Sequence, residues 1–317
     1  MFVGLLSGLT WAAETVLMGV VLAMSPFFST PQAIAIAPFA ATFLHDAFSA
    51  LSLFVYNALR SKLKGFFRIF TKPDCKWLVL GAAIGGPIGM TGYTMAVNFM
   101  GASVGAVATA VYPAIGTVLA FIFLKERVRW YQWGFLLLTL LGVYGLSYSP
   151  EVSVTNFWLG LLGAFMCAFG WGTSTVILTK CLKDPDMDES YVLTLRQSVS
   201  ALAYGVIILP LLRGWNVIPT LFTREAPLLI PALVGSALFA TWSYLLYYVS
   251  LNKIGAAKTM ALNVTYPAWA ILLSVLLFRD TAMLTPFNLL CTATVVICGI
   301  LAACDITQLF GKKTPQL

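Results

Sequence analysis

The chain has 317 residues, of which 60% are hydrophobic and 10% are charged, and its mean hydropathy is +0.89. Soluble globular proteins carry about 25% charged residues, so this composition excludes soluble enzymes, nucleic-acid-binding proteins and disordered proteins. The net charge of +7 follows from basic residues that cluster between apolar stretches, and we interpret it as the mark of one membrane face.

Stretches of about 20 apolar residues recur along the whole sequence, each long enough to cross a hydrocarbon core of roughly 30 Å as a helix. Charged or Pro/Gly-rich breaks separate them. They predict ten spans at residues 2–24, 32–58, 77–99, 102–124, 131–149, 155–179, 190–212, 226–251, 254–278 and 283–305. The first span is too long for the apolar core of a cleaved signal peptide and carries Glu14 near its middle, so we expect it to be retained.

The basic residues predict how these spans are oriented. With the N-terminus in the cytoplasm, most of the 19 lysines and arginines fall in inward loops and in the C-terminal tail. Only Arg213, Arg224 and Arg279 fall outside, while Arg196 lies within the seventh span. Because cytoplasmic loops carry the excess of basic residues, we predict that both termini are cytoplasmic.

Four ionisable residues stand inside predicted spans, namely Glu14, His45, Asp46 and Arg196, and each is a functional hypothesis because charge is costly in lipid. Asp46 and Arg196 lie on spans two and seven, where an ion pair would fix how the helices dock. Glu14 has no such cation, so it is expected to exchange a proton, to offset a bound cation, or to be a protonated group bonded to a neighbouring helix. His45 points about 100° away from Asp46 around the helix, so the two need not act together. We expect His45 to be either a member of a proton relay or a polar group whose hydrogen bonds are satisfied within the protein. We predict these four residues as the coupling network.

A second group of candidate residues consists of aromatic side chains that lie well within the predicted spans. Tryptophan prefers the membrane interface, and an indole N–H in lipid needs a partner, so the four tryptophans well within spans indicate a shared cavity. Each single ring is more often core packing, but together they predict a cage suited to a quaternary ammonium. In span eight, helical phase favours Tyr244 with Tyr248, or Tyr247, but not all three. The predicted substrate-binding residues are Trp11, Glu14, Tyr112, Trp171, Trp242, Tyr244, Asn263, Tyr266 and Trp269.

The chain also contains an internal duplication. The stretch from Met100 to Glu126 aligns without gaps with the stretch from Ile254 to Asp280, and both share Tyr-Pro-Ala and a basic-acidic ending. Apolar helices resemble one another in composition, but the constant register favours true duplication.

Because each half holds an odd number of spans, the second copy must be inverted, an arrangement typical of transporters with a central site between the copies. We therefore predict a first repeat at residues 1–150, a second, inverted repeat at 151–306, and a cytoplasmic tail at 307–317.

This organisation resembles the drug/metabolite transporter superfamily in its EamA-type branch. The features that carry the resemblance are the two inverted sets of five spans and the prolines of Tyr112-Pro113 and Tyr266-Pro267, each followed by a basic-acidic pair. The resemblance implies that spans one to four and six to nine surround a central cavity, with five and ten peripheral. One departure is Arg279-Asp280 in place of a basic-Glu pair.

Two shorter stretches resemble the LicB-type choline permeases, which occur in bacteria that decorate their surface polymers with phosphocholine. They are GLTWAAETVLMG, which starts at Gly8, and STPQAIAIAPFAATFLHDAFSA, which starts at Ser29. This resemblance implies a multi-pass protein of the bacterial cytoplasmic membrane that takes a small choline-like cation as its solute.

The sequence therefore favours a secondary transporter that imports choline or a related quaternary ammonium by alternating access, with proton coupling left open. The alternative is an exporter of amino acids, drugs or other small metabolites, in which Arg196 would bind the anionic group. An intramembrane enzyme would need a dyad, triad or metal set that His45 and Asp46 do not supply, and the predicted loops are too short for a scaffold.

We expect no cofactor and no metal, because the chain has a single histidine and no CxxC spacing among its six cysteines. Without a GxxxxGK[ST] motif, ion or solute gradients are the expected energy source. The expected partners are the solute, the bilayer and a proton, with no nucleic acid, and the protein is expected to be a monomer or a homodimer.

Overall fold

The computed structural model describes residues 1–27, 29–100, 105, 109–147, 156–222, 227–279 and 284–305, and these residues form helices and turns without a β-strand. A helix satisfies its own backbone N–H and C=O groups, which hydrocarbon cannot do. We number the helices α1 Phe2–Leu22, α2 Pro31–Leu59, α3 Leu63–Arg68, α4 Cys75–Met100, α5 Tyr112–Phe123, α6 Trp130–Ser147, α7 Phe157–Cys181, α8 Glu189–Leu211, α9 Leu229–Ile254, α10 Ala256–Phe278 and α11 Pro286–Ala303.

Within the described residues, eight helices are long and apolar enough to cross a membrane: α1, α2, α4 and α7 to α11. The shorter apolar helix α5 and the 18-residue α6 stand where spans four and five were predicted. Part of the predicted fourth span, residues 101–104 and 106–108, lies outside the described residues. The all-α architecture is confirmed, whereas the total of ten spans stays a prediction.

Capping residues fix where two of the long helices begin. Thr30 precedes α2, and its hydroxyl accepts a hydrogen bond from the amide of Ala33 at 3.0 Å, with Pro31 at the first helical position. Asn156 precedes α7 and accepts from the amide of Leu159 at 3.1 Å. These contacts satisfy amides that have no partner inside the helix.

Helix α4 departs from regular α geometry in its middle. Residues Ile84–Ile88 form a π-type turn around Pro87, which has no amide hydrogen to donate. The hydroxyl of Ser174 in α7 donates to the carbonyl of Gly81 at 2.7 Å, and a Cβ on Gly85 would lie 2.3 Å from that hydroxyl. The glycines of α4 thus allow α7 to approach closely at the level of the cavity described below.

Helices α9 and α10 are joined through one residue, Gly255, whose φ of +87° disfavours other residue types. The carboxylate of Glu126, which follows α5, accepts hydrogen bonds from the amides of Ala256 at 2.7 Å and Ala257 at 3.0 Å. An anion at a helix N-terminus is favourable, so this contact holds the start of α10 against the end of α5.

The same end of the bundle carries ion pairs between loops. Lys62 contacts Asp188 at 2.5 Å, and Lys72 contacts Asp184 at 3.5 Å and also pairs with Asp186. These contacts join the segment after α2 to the segment between α7 and α8. The side predicted to be rich in basic residues is therefore partly neutralised by its own acids.

Candidate functional site

A cavity lies among α1, α4, α5, α7, α8, α9 and α10, and the space between its side chains is about 620 Å³, including the part open to solvent. Half of the lining residues are aromatic, and one is a cation. They are Trp11, Gly85, Tyr112, Trp171, Ser174, Thr175, Leu178, Arg196, Ser243, Tyr244, Tyr247, Tyr248, Asn263 and Tyr266. None of these described residues belongs to α2, α6 or α11.

Edge contacts between the rings fix their orientation around the cavity. Trp11 meets Tyr244 at 4.9 Å between ring centroids with the planes 70° apart. Trp171 meets Tyr112 at 5.7 Å and 86°, and it stacks on Tyr93 at 5.8 Å and 24°. Rings from α1, α5, α7 and α9 therefore lie at several angles to one another around the cavity.

Two of the four predicted tryptophans line this cavity, and two do not. Trp11 and Trp171 do, whereas Trp269 donates from its indole nitrogen to the hydroxyl of Thr265 at 3.1 Å and Trp242 is 59% exposed. The expectation that all four share one cavity is thus corrected. Trp242 lies two residues, or about 200° around the helix, from the inward-facing Tyr244, so it points to the outer surface of the bundle.

The predicted residues Tyr112, Tyr244, Asn263 and Tyr266 all line the cavity. The hydroxyl of Tyr112 donates to Asn263 Oδ1 at 3.1 Å. Tyr244, Tyr247 and Tyr248 all face it, which corrects the expectation that helical phase excludes one of them. Residues at i, i+3 and i+4 cover an arc of only about 100°, and long side chains on such an arc reach the same space.

Glu14, His45 and Asp46 form a buried charged cluster instead of separate groups. His45 contacts Asp46 Oδ1 through Nδ1 at 3.0 Å and Glu14 Oε1 through Nε2 at 3.7 Å. The hydroxyl of Ser236 donates to Glu14 at 3.3 Å. Glu14 therefore has partners, contrary to its expected isolation, and it is not among the residues that line the cavity. His45 and Asp46 meet despite their 100° separation because adjacent side chains bend toward each other.

Asp46 and Arg196 do not form the expected ion pair, because Gln197 lies between them. The Gln197 amide nitrogen donates to Asp46 Oδ1 at 3.3 Å, and Arg196 Nη1 donates to Gln197 Oε1 at 2.6 Å. The guanidinium carbon of Arg196 also lies 4.3 Å from the ring centroid of Tyr244. Sequence reasoning missed Gln197, although an amide beside an arginine in an apolar span is itself a signal of a buried polar contact.

Comparisons with known proteins agree with this architecture. The model of the EamA-like transporter family matches residues 1–148 and 158–303. Protein LicB of Haemophilus influenzae is 26% identical over 292 residues, which cover 91% of this chain and 92% of that protein. The crystal structure of another protein has the same fold, with a TM-score of 0.71 and 16% sequence identity, and the match covers 99% of this chain and 98% of the other.

Proposed function

Because the chain belongs to the EamA-like transporter family, we propose that it is a secondary transporter that imports choline or a related quaternary ammonium by alternating access. The observation that carries this proposal is the cavity in which Trp11, Trp171 and the surrounding tyrosines meet. We place the protein in the bacterial cytoplasmic membrane with both termini inside, as a monomer or a homodimer.

The chemistry of a quaternary ammonium fits such a wall. It has no hydrogen to donate, so ordinary polar partners gain nothing, whereas aromatic faces attract it by up to about 2 kcal/mol each when desolvated. The resemblance of two N-terminal stretches to LicB-type choline permeases supports the same solute class.

Alternating access requires two units that move relative to each other around one site. The family model matches the two halves of the chain separately, and the cavity is lined by residues from both, which supports repeats at 1–150 and 151–306. An inside-negative potential contributes about 2.3 kcal/mol per charge per 100 mV to the entry of a cation.

The charged cluster of Glu14, His45 and Asp46 supports proton coupling. The two acids and the imidazole lie in contact and buried in the bundle, and Gln197 connects Asp46 to the cavity residue Arg196. A proton exchanged within the cluster is thus one amide away from the wall of the cavity.

The alternative, an exporter of amino acids or other small metabolites or drugs, is favoured by one observation. Arg196 lines the cavity, and a guanidinium binds carboxylates through paired hydrogen bonds. An amino acid would then place its carboxylate at Arg196.

Uptake of labelled choline into proteoliposomes tests the proposal. We expect saturable uptake that rises with an inside-negative potential and with an inward proton gradient. Trp171→Leu should raise the KM for choline roughly 10- to 30-fold, because the loss of one cation–π partner is worth up to about 2 kcal/mol. Trp242→Leu is the matched control, since this tryptophan faces away from the cavity, and it should leave uptake unchanged.

Two results would contradict the proposal. Equal effects of Trp171→Leu and Trp242→Leu on the KM for choline would show that choline does not bind in the cavity. Counterflow of amino acids without any choline uptake would show that amino acids are the substrate instead.

A further inference from the structure

The cavity proposed to bind a cation already contains a cation of its own. Arg196 is 9% exposed and lines the cavity, and no acidic side chain of the described residues lies within ion-pairing distance of it. Its contacts are the hydrogen bond to Gln197, the face of the Tyr244 ring and a hydrogen bond to the Tyr244 side chain. Since a guanidinium has five N–H donors, several remain for a ligand.

Most other polar groups of the cavity wall are engaged with the protein. Ser174 donates to the carbonyl of Gly81, and Ser243 donates to the carbonyl of Ser7. Thr175 shares a hydrogen bond with Tyr247, and Asn263 bonds both Tyr112 and Ser7. The tyrosine hydroxyls that also face the cavity are neutral, whereas Arg196 is the cation among the described lining residues and gains the most from an anionic oxygen.

A quaternary ammonium alone would bring a second positive charge into a desolvated space beside this guanidinium. The repulsion is relieved when the ligand also presents an oxygen that accepts from Arg196, and most strongly when that oxygen belongs to a carboxylate. The aromatic rings and Arg196 then bind opposite ends of one molecule.

We infer that Arg196 determines specificity by donating hydrogen bonds to an oxygen at the end of the ligand opposite its quaternary nitrogen. The inference rests on the proposed function and names its substrate class: trimethylammonium compounds that carry a hydroxyl or a carboxylate. Simple tetraalkylammonium ions are disfavoured.

Three ligands with the same trimethylammonium head test this inference, namely ethyltrimethylammonium, choline and glycine betaine, which end in a methyl, a hydroxyl and a carboxylate. Each is titrated against the full-length protein, with binding followed by thermal stabilisation and by competition with labelled choline. Wild-type protein should bind choline and betaine at least tenfold more tightly than ethyltrimethylammonium.

The Arg196→Gln variant should bind the three ligands within about twofold of one another, and ethyltrimethylammonium at least as tightly as wild type does. Arg196→Lys keeps the charge without the planar fork. Arg196→Lys should reduce the preference for betaine over the other two ligands. It replaces Arg196→Gln in the test if that variant does not fold. Trp171→Leu is the contrasting control, because loss of an aromatic face should weaken all three ligands by a similar factor.

The failures of the two proposals look different. If wild type binds all three ligands equally, or if both Arg196 variants keep the wild-type order, the role of Arg196 is refuted while the aromatic cage stands. If none of the three ligands binds the wild type, the cage is refuted, and the inference about Arg196 falls with it.

Discussion

A single amide, Gln197, joins two charged groups that come from different helices. It donates to Asp46 on α2 and accepts from Arg196 on its own helix α8, and it is fully buried. Both bonds use the amide in one orientation, since an inverted amide would place its nitrogen against the guanidinium. Gln197 therefore links Asp46 on α2 to Arg196 in the cavity wall by two hydrogen bonds.

We predict that Gln197→Leu breaks the hydrogen-bonded connection between Asp46 in the charged cluster and Arg196 in the cavity wall. Its unfolding free energy should fall by about 2 kcal/mol, because two buried charged groups each lose a partner. Choline uptake should lose the pH dependence that proton coupling predicts for the wild-type protein. Gln197→Glu is the informative companion, since it still accepts from Arg196 but, once ionised, does not donate to Asp46. A folded Gln197→Leu protein with the wild-type pH profile would contradict this role.

Much of the cavity wall was predictable from single residues. Trp11, Tyr112, Trp171 and Tyr244 stand deep in apolar spans, where a polar aromatic ring needs an interior location, and they line the cavity. Trp242 was placed wrongly because the prediction used its depth in the span and not its position around α9, where the buried residues Ser236, Ser243 and Ser250 recur every seven residues and mark the inward face. Contacts between helices, such as the link through Gln197, depend on side-chain positions that spacing along one helix does not contain.

At the scale of the helix, the cavity depends on how closely α4 approaches α7. Gly89 in α4 lies against Trp171, and a Cβ at this position would stand 2.6 Å from Cδ1 of the indole ring. A tryptophan ring is large and is held by Tyr93 and Tyr112, so an added methyl group would push it toward the cavity that it lines.

We predict that Gly89→Ala displaces the Trp171 ring and weakens choline binding about tenfold, while the protein still folds with a loss of 1–3 kcal/mol typical of overpacking. Thermal shift and uptake measurements together separate these effects. Gly134→Ala in α6 is the matched control, because nothing lies within 4 Å of its added methyl group. Equal ligand affinity in the two variants would show that Gly89 does not position the ring.

The helices themselves followed from the sequence more closely than their internal geometry did. Predicted spans 32–58 and 155–179 differ by only two residues or fewer at each end from α2 and α7, because the ends of the apolar stretches fall close to the capping residues Thr30 and Asn156. A departure from straight helix in α4 is readable from its crowded glycines and Pro87. Its form as a π-type turn at Ile84–Ile88 depends on packing against α7 and was not readable from the sequence.

At the scale of the whole molecule, one end is held together by loop ion pairs. Burial alone would raise the pKa of Asp188, but hydrogen bonds from Lys62 and from the side chain and amide of Ser190 outweigh it and hold that pKa below its ordinary value. The hydrogen bond from Lys62 to Asp188 in turn raises the pKa of Lys62. The pair therefore connects the segment after α2 with the start of α8 across the neutral pH range.

We predict that Asp188→Asn lowers the melting temperature by about 1 °C at pH 7, because a partly exposed pair contributes about 0.2–1 kcal/mol while asparagine still caps α8. A carboxylate with a depressed pKa stabilises the fold above its unfolded pKa, so the difference from wild type should persist from pH 5 to 8. It should close below about pH 4, as the folded carboxylate takes up a proton. Thermal unfolding at several pH values measures this.

The double variant Lys62→Met with Asp188→Asn serves as the control and should cost no more than either single change, as expected for two members of one pair. A melting difference that stays constant down to pH 3 would show that the Asp188 charge does not stabilise the fold.

The overall architecture was largely contained in composition and register. A chain with 10% charged residues is compatible with few folds other than a helical membrane bundle, and the family match over both halves agrees with the duplicated stretches that end in Lys125-Glu126 and Arg279-Asp280. Composition and duplication do not predict how the charged residues of α1, α2 and α8 are arranged at the centre of the bundle. That arrangement depends on contacts among three helices that are far apart in the sequence.

The single glycine between α9 and α10 has a mechanical consequence. A connection of one residue fixes the end of α9 beside the start of α10, and Glu126 holds this corner through the first two amides of α10. Beyond the corner, α9 carries Tyr244, Tyr247 and Tyr248, and α10 reaches Tyr266 after a turn at Val264 and Thr265. Two walls of the aromatic cavity are therefore anchored to one carboxylate at the end of the bundle.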